Sequence, residues 1–299
     1  MLSQQSSSKV SGTVVSDPSI GVPDGFRLKF VPASLQLTSA LRAEPLHDWQ
    51  SANGVVLAVG FRDPDSYSIQ GSAVVVAPGV ALCATHVLAS EMSSLLAEAR
   101  HAICFGITTY GLQIWRVKTF TSVPKTDLAI LGLELATAIP PDATFYQARI
   151  STQTPPIGSK VECAGFRAAS ASFAFQPGQV QALSGKVQGC AGLVTEHLPN
   201  GTDSFLMPWP LLQADFPHWG GMSGGPVFND RGNLVGILCS SLGTLDPEDP
   251  SPSFISLLAP VLDVPFSGGW PDTLLKPSPR SLYDLRGREC VISDAGDGS

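Results

Sequence analysis

The 299-residue chain is 43% hydrophobic and only 14% charged, which supports a sizeable core and excludes wholesale disorder, coiled coils and long solvated helices. Its net charge of −7 excludes a surface of clustered Lys and Arg for phosphate, so no nucleic-acid partner is expected. The 29 glycines and 25 prolines exceed the roughly 12% that the two residues make up on average, calling for many turns and pointing to an all-β chain.

No run of 18 apolar residues occurs, so no membrane partner is expected. The start, Met1-Leu2-Ser3-Gln4-Gln5, has neither a basic region nor an apolar stretch, and no secretory signal is expected. Cys83, Cys104, Cys163, Cys190, Cys239 and Cys290 lie far apart with no CxxC pair. That spacing argues against a zinc site, and neither a metal nor a cofactor is expected. Reduced thiols in a cytoplasmic location are the expectation.

Along the chain, residues 1–25 are rich in Ser, Gln, Gly and Pro and read as a flexible leader. Residues 26–50 show no clear period, so 1–50 is expected to be an N-terminal extension. Short apolar runs rich in Val, Ile and Thr begin at Val55, with strands predicted at 72–77, 79–84, 101–107, 111–119 and 128–133. Pro78-Gly79 is a turn signal, because Pro presets φ and Gly permits φ > 0. Residues 88–100 have helix-like composition. The stretch 150–156, with Pro155-Pro156, reads as a linker. Further strands are predicted at 160–165, 179–185, 186–189, 204–208, 225–229, 234–239 and 253–258. Residues 265–299 are expected to wrap the surface or stay mobile. No internal sequence repeat is evident. Two β-rich units, 51–150 and 151–264, would then face each other across a cleft, where ligand sites tend to lie.

Three short motifs carry chemistry. Gly220-Gly221-Met222-Ser223-Gly224-Gly225-Pro226 places a Ser between glycines that let the backbone turn tightly. Convergent N–H groups at such a turn form an oxyanion hole for acyl transfer. A Ser nucleophile needs a base. His47, His101, His197 and His218 sit in plainer contexts, whereas His86 closes a predicted hairpin ending Ala84-Thr85-His86. A buried acid should fix the imidazole tautomer, and Thr126-Asp127-Leu128-Ala129-Ile130-Leu131 puts Asp127 at the head of an apolar strand. Asp63, Asp65 and Asp142 are competitors in loop contexts.

The order His86, Asp127, Ser223 resembles the chymotrypsin-like serine proteases, most closely bacterial HtrA-type trypsin-like peptidase domains, over about residues 55–264. The resemblance implies an all-β fold of two six-stranded Greek-key barrels with the active site between them. It implies a Ser223–His86–Asp127 triad, an oxyanion hole from the backbone N–H groups of Gly221 and Ser223, and a substrate strand paired along Cys239, Ser240 and Ser241. Asn233-Leu234-Val235-Gly236-Ile237-Leu238 matches the strand beside the primary specificity pocket. Met222 stands where digestive members carry an Asp that captures a new N-terminus, so that activation route is not expected. Pro217 stands where Arg/Lys-specific members place an Asp, which predicts apolar or small uncharged residues before the cut, with Asp215 as the rival for basic ones. Val87 replaces a disulfide cysteine of secreted members, and the residues after 264 are too few for a PDZ module. The expected function is a serine endopeptidase acting on a narrow set of protein substrates or one dedicated partner, which the 1–50 and 265–299 extensions would dock or gate. The alternative is a pseudo-protease that binds peptides or partners through the same cleft.

Overall fold

The computed structural model describes residues 9–13, 29–33, 35, 44–45, 53–63, 66–89, 101–109, 111–138, 143–167, 169–172, 180–184, 187–202, 207–241, 252–271, 279–287 and 289–293. Twelve strands build two closed barrels. The first holds β1 (Val56–Asp63), β2 (Ser66–Ala77), β3 (Val80–Ala84), β4 (His101–Thr108), β5 (Gly111–Ser122) and β6 (Leu128–Leu135). Its antiparallel ladders run β1–β2–β3–β6–β5–β4 and back to β1. The second holds β7 (Lys160–Phe166), β8 (Val187–Leu198), β9 (Leu211–Ala214), β10 (Pro226–Asn229), β11 (Leu234–Ser241) and β12 (Ser253–Leu257). It closes in the same order, β7–β8–β9–β12–β11–β10 and back to β7. The architecture is the chymotrypsin-like pair of six-stranded Greek-key barrels, repeated in structure although no sequence repeat marks it.

Local chemistry explains the best-defined hairpin. Ala73-Val74-Val75-Val76-Ala77 and all of β3 are buried, the environment in which β-branched residues pack well. Between them Gly79 adopts φ +61°, as its place after Pro78 predicts. A Cβ on Gly79 would lie 2.0 Å from the Trp270 nitrogen, so the turn also leaves room for the C-terminal segment.

That segment departs from expectation. Trp270 is 1% exposed and meets Trp115 and Phe145 edge-on at 5.8 and 5.5 Å between centroids. Phe266 and Arg280 exchange backbone hydrogen bonds, and Ile292–Ser293 pairs in parallel with Ile150–Ser151, which also bridges to Leu234. Phe266, Trp270, Leu282, Leu285, Cys290 and Ile292 of this segment therefore belong to the core, and the start of the expected linker is a strand. The N-terminal extension also carries strands: in the leader Lys9–Thr13 pairs with Val180–Ser184, and in the stretch without a clear period Lys29–Ala33 pairs with Thr144–Ala148. These strands are stabilised by partners more than 100 residues away, which local composition cannot reveal. Strand β8 runs on to Leu198, placing His197 in a strand rather than a loop. Strand β9 lies just beyond the one predicted at 204–208, of which 204–206 lie outside the described residues. Of the helix-like stretch 88–100, residues 88–89 end a single helical turn, His86–Ala89, and residues 90–100 lie outside the described residues.

Candidate active site

The base and acid are brought together by the β3–β6 ladder. The register Ala84↔Leu128 continues one step, and Thr85 N–H donates to the Asp127 carbonyl at 2.7 Å. Thr85 Oγ1 donates to the Leu128 carbonyl at 2.8 Å. His86 therefore emerges beside Asp127 as the chain leaves the sheet. The Asp127 carboxylate grips it twice: Oδ1 accepts the His86 backbone N–H at 3.0 Å, and Oδ2 lies 2.7 Å from Nδ1. A carboxylate only accepts, so Nδ1 carries the proton and Nε2 is left as the acceptor. Side-chain exposure is 50% for His86 and 12% for Asp127, so the acid is buried while the imidazole reaches solvent. The turn before Asp127 is held by Thr126, whose Oγ1 donates to the Val123 carbonyl and accepts from Leu128 N–H.

Ser223 sits on a tight loop pinned from both barrels. Gly221 and Gly224 adopt φ +93° and +84°. Met222 N–H donates to the Trp219 carbonyl and Gly225 N–H to the Met222 carbonyl, while Gly224 N–H reaches Leu238 of β11 at 2.7 Å. The Met222 side chain is buried in the core of the second barrel, which accounts for an apolar residue there. The amides of Gly221 and Ser223 make no hydrogen bond among the described residues, leaving both donors of the expected oxyanion hole available. Gly71 lies where the segments that carry nucleophile and base approach each other. A Cβ there would lie 2.5 Å from the Val87 side chain and 2.9 Å from the Ser223 carbonyl oxygen. No hydrogen bond joins Ser223 Oγ to His86 Nε2, a contact that often tightens only with substrate bound.

Two residues without a local motif complete the surroundings. Ser72, fully buried on β2, donates N–H to the Ser223 carbonyl and Oγ–H to the Gly221 carbonyl, each at 2.8 Å. Its Oγ also accepts Phe166 N–H from the second barrel at 2.8 Å. His218 lies on the segment leading into the nucleophile loop, with Nδ1 2.8 Å from Ser253 Oγ. Burial, and secondarily the neighbouring His86 charge, lower its pKa to about 4. Beside it, Trp219 carries the Arg167 guanidinium 5.7 Å from its ring centroid.

The expected substrate strand lies at the end of β11. A bulge between Leu238 and Ser240 interrupts pairing with β12, which resumes at Ser240↔Phe254 and Ser241↔Ser253. Cys239 is turned inward, its thiol donating to the Phe254 carbonyl at 3.1 Å and pushed up to about 12 by burial. It could therefore offer substrate only its backbone. Asp215, the rival determinant for basic residues, is exposed and accepts Leu193 N–H at 2.5 Å. Asp142 and Asp65 lie outside the described residues, as does the side chain of Asp63. Among the described residues no group of acids, histidines and cysteines could hold a metal ion.

The fold is that of a trypsin-like peptidase, and the chain belongs to that family: the model of the trypsin-like peptidase domain matches residues 71–237, more than half of it. The match spans His86, Asp127 and Ser223. Among curated proteins none matches. Solved structures of HtrA-type and related proteases are similar in shape. The protease domain of MamO from Magnetospirillum magneticum is 18% identical with a TM-score of 0.46, the alignment covering 69% of this chain and 93% of that one. Deg5 is 14% identical with a TM-score of 0.45, over 70% of this chain and 86% of that one. The HtrA-type protease AlgW, solved with a tripeptide, is 18% identical with a TM-score of 0.44, over 70% and 58%.

Proposed function

We propose that the chain is a serine endopeptidase. Ser223 Oγ attacks a peptide carbonyl, His86 Nε2 takes its proton, and Asp127 holds the imidazole in the required tautomer. The Gly221 and Ser223 amides receive the developing oxyanion. His86 then protonates the leaving amine, and water releases the acyl group from Ser223 by the reverse sequence. The two-point grip of Asp127 on His86 is the observation that carries this reading. A carboxylate bonded to both the backbone and Nδ1 of one histidine orients a base, which a merely structural histidine does not need.

Substrate is taken as an added strand along Cys239, Ser240 and Ser241, from a narrow set of proteins or one dedicated partner. A reducing, cytoplasmic setting is part of the proposal, supported by Cys163 and Cys190, which face each other across β7 and β8 as free thiols. The test is a fluorophosphonate probe applied to the wild type and to Ser223→Ala. Labelling of the wild type alone is expected, and turnover should fall by about 10⁶-fold in the variant. An unlabelled, folded wild type would favour the peptide-binding pseudo-protease.

A further inference from the structure

His218 is a polar group beside the proposed triad that the triad chemistry leaves unused. It stands five residues before Ser223 and bonds Ser253, the first residue of β12, which pairs with Ser241 of the expected substrate strand. A substrate held by Ser223 and the Gly221 amide, its chain running beside Ser240 and Ser241, would send one side chain between these two segments. That is the side chain of the residue supplying the attacked carbonyl, P1.

The hydrogen bonds fix what His218 offers there. Ser253 Oγ lies 2.6 Å from the Phe216 carbonyl, which only accepts, so the single hydroxyl proton goes to Phe216. Ser253 must then accept from His218, which places the imidazole proton on Nδ1. Nε2 is left as a lone-pair acceptor. Among the described residues it makes no hydrogen bond, and it is not one of their buried unpartnered polar atoms.

We propose that His218 sets primary specificity, its Nε2 accepting a hydrogen bond from the carboxamide N–H of a glutamine or asparagine at P1. This rests on the protease reading; it keeps the uncharged preference expected from Pro217 but replaces its apolar part with a carboxamide. An aliphatic side chain would cover Nε2 without satisfying it. A carboxylate would face a lone pair, and protonating His218 to receive it works against burial and the nearby His86 charge. A lysine or arginine would bring a cation beside His86, which itself becomes positive during the reaction. Asp215, the rival determinant for a basic residue, turns its Oδ1 to the Leu193 N–H.

The test is a fluorogenic peptide library scanned at P1 against the full chain. Glutamine and asparagine should exceed the similarly shaped methionine and leucine, and also glutamate and aspartate, by about tenfold or more in kcat/KM. His218→Leu should bring the glutamine-to-methionine ratio close to one, with probe labelling reporting whether the nucleophile is intact. Should that variant misfold, Ser253→Ala, which removes the acceptor fixing the tautomer, should lower the ratio severalfold. Where no library peptide is turned over, aldehydes ending in glutamine or methionine, competing with the probe, make the same comparison. A labelled wild type that prefers methionine, glutamate or lysine, or a glutamine preference that survives His218→Leu, overturns the inference. A wild type neither labelled nor active overturns the protease reading and this inference with it.

Discussion

Ser72 shows how one buried side chain can set the geometry of a site to which it adds no chemistry. It binds the carbonyls of Gly221 and Ser223 from the first barrel and takes an amide from the second. Gly224 must be glycine beside it, because φ is +84° and a Cβ would lie 2.1 Å from the Ser72 carbonyl oxygen. In Ser72→Ala the Phe166 amide and the Gly221 carbonyl lose this partner, so stability should fall by roughly 1–3 kcal/mol in urea melts. The Gly221 peptide also loses its anchor. Probe labelling of the folded variant should slow by about tenfold, less than loss of an oxyanion donor itself. Unchanged labelling with reduced stability would make Ser72 purely structural. The residues of the proposed triad were legible because each stands in a short motif. Ser72 was not, because its three partners are 94 to 151 positions away in the chain.

Strands differed in legibility for a reason visible element by element. β3 and residues Leu128–Leu133 of β6 are continuous apolar runs buried on both faces, so composition marks them. β9 has four residues and follows Trp209-Pro210, too short for a period to register. The strands of the leader and the Trp270 segment owe their order to distant partners rather than to their own residues. Trp270 fills space among Trp115, Phe145 and the Gly79 turn. Trp270→Ala should therefore cost about 3–5 kcal/mol, read as a lower urea midpoint. A loss below 1 kcal/mol would mean that the segment only rests on the barrel.

Across the molecule, stability and the site are coupled through His218. Its folded pKa of about 4 lies below the ordinary 6.5. Between these values the unfolded chain binds the extra proton, so stability falls as pH drops. The effect is absent above about pH 6.5 and complete below about pH 4. Urea melts at pH 7 and pH 4 should show a larger loss for the wild type than for His218→Gln, by a difference on the order of 2–3 kcal/mol. Equal losses would mean that His218 is hydrated in the folded protein.

The sequence alone determined the β-rich composition, the order of His86, Asp127 and Ser223, and the glycines around the nucleophile. These properties reside in consecutive residues, where local sterics and burial decide them. Only the tertiary structure decided that the same strand order is used twice, that the C-terminal segment enters the core, and that Ser72 and His218 border the site. Those features depend on contacts between distant residues, and such contacts exist only once both barrels have closed.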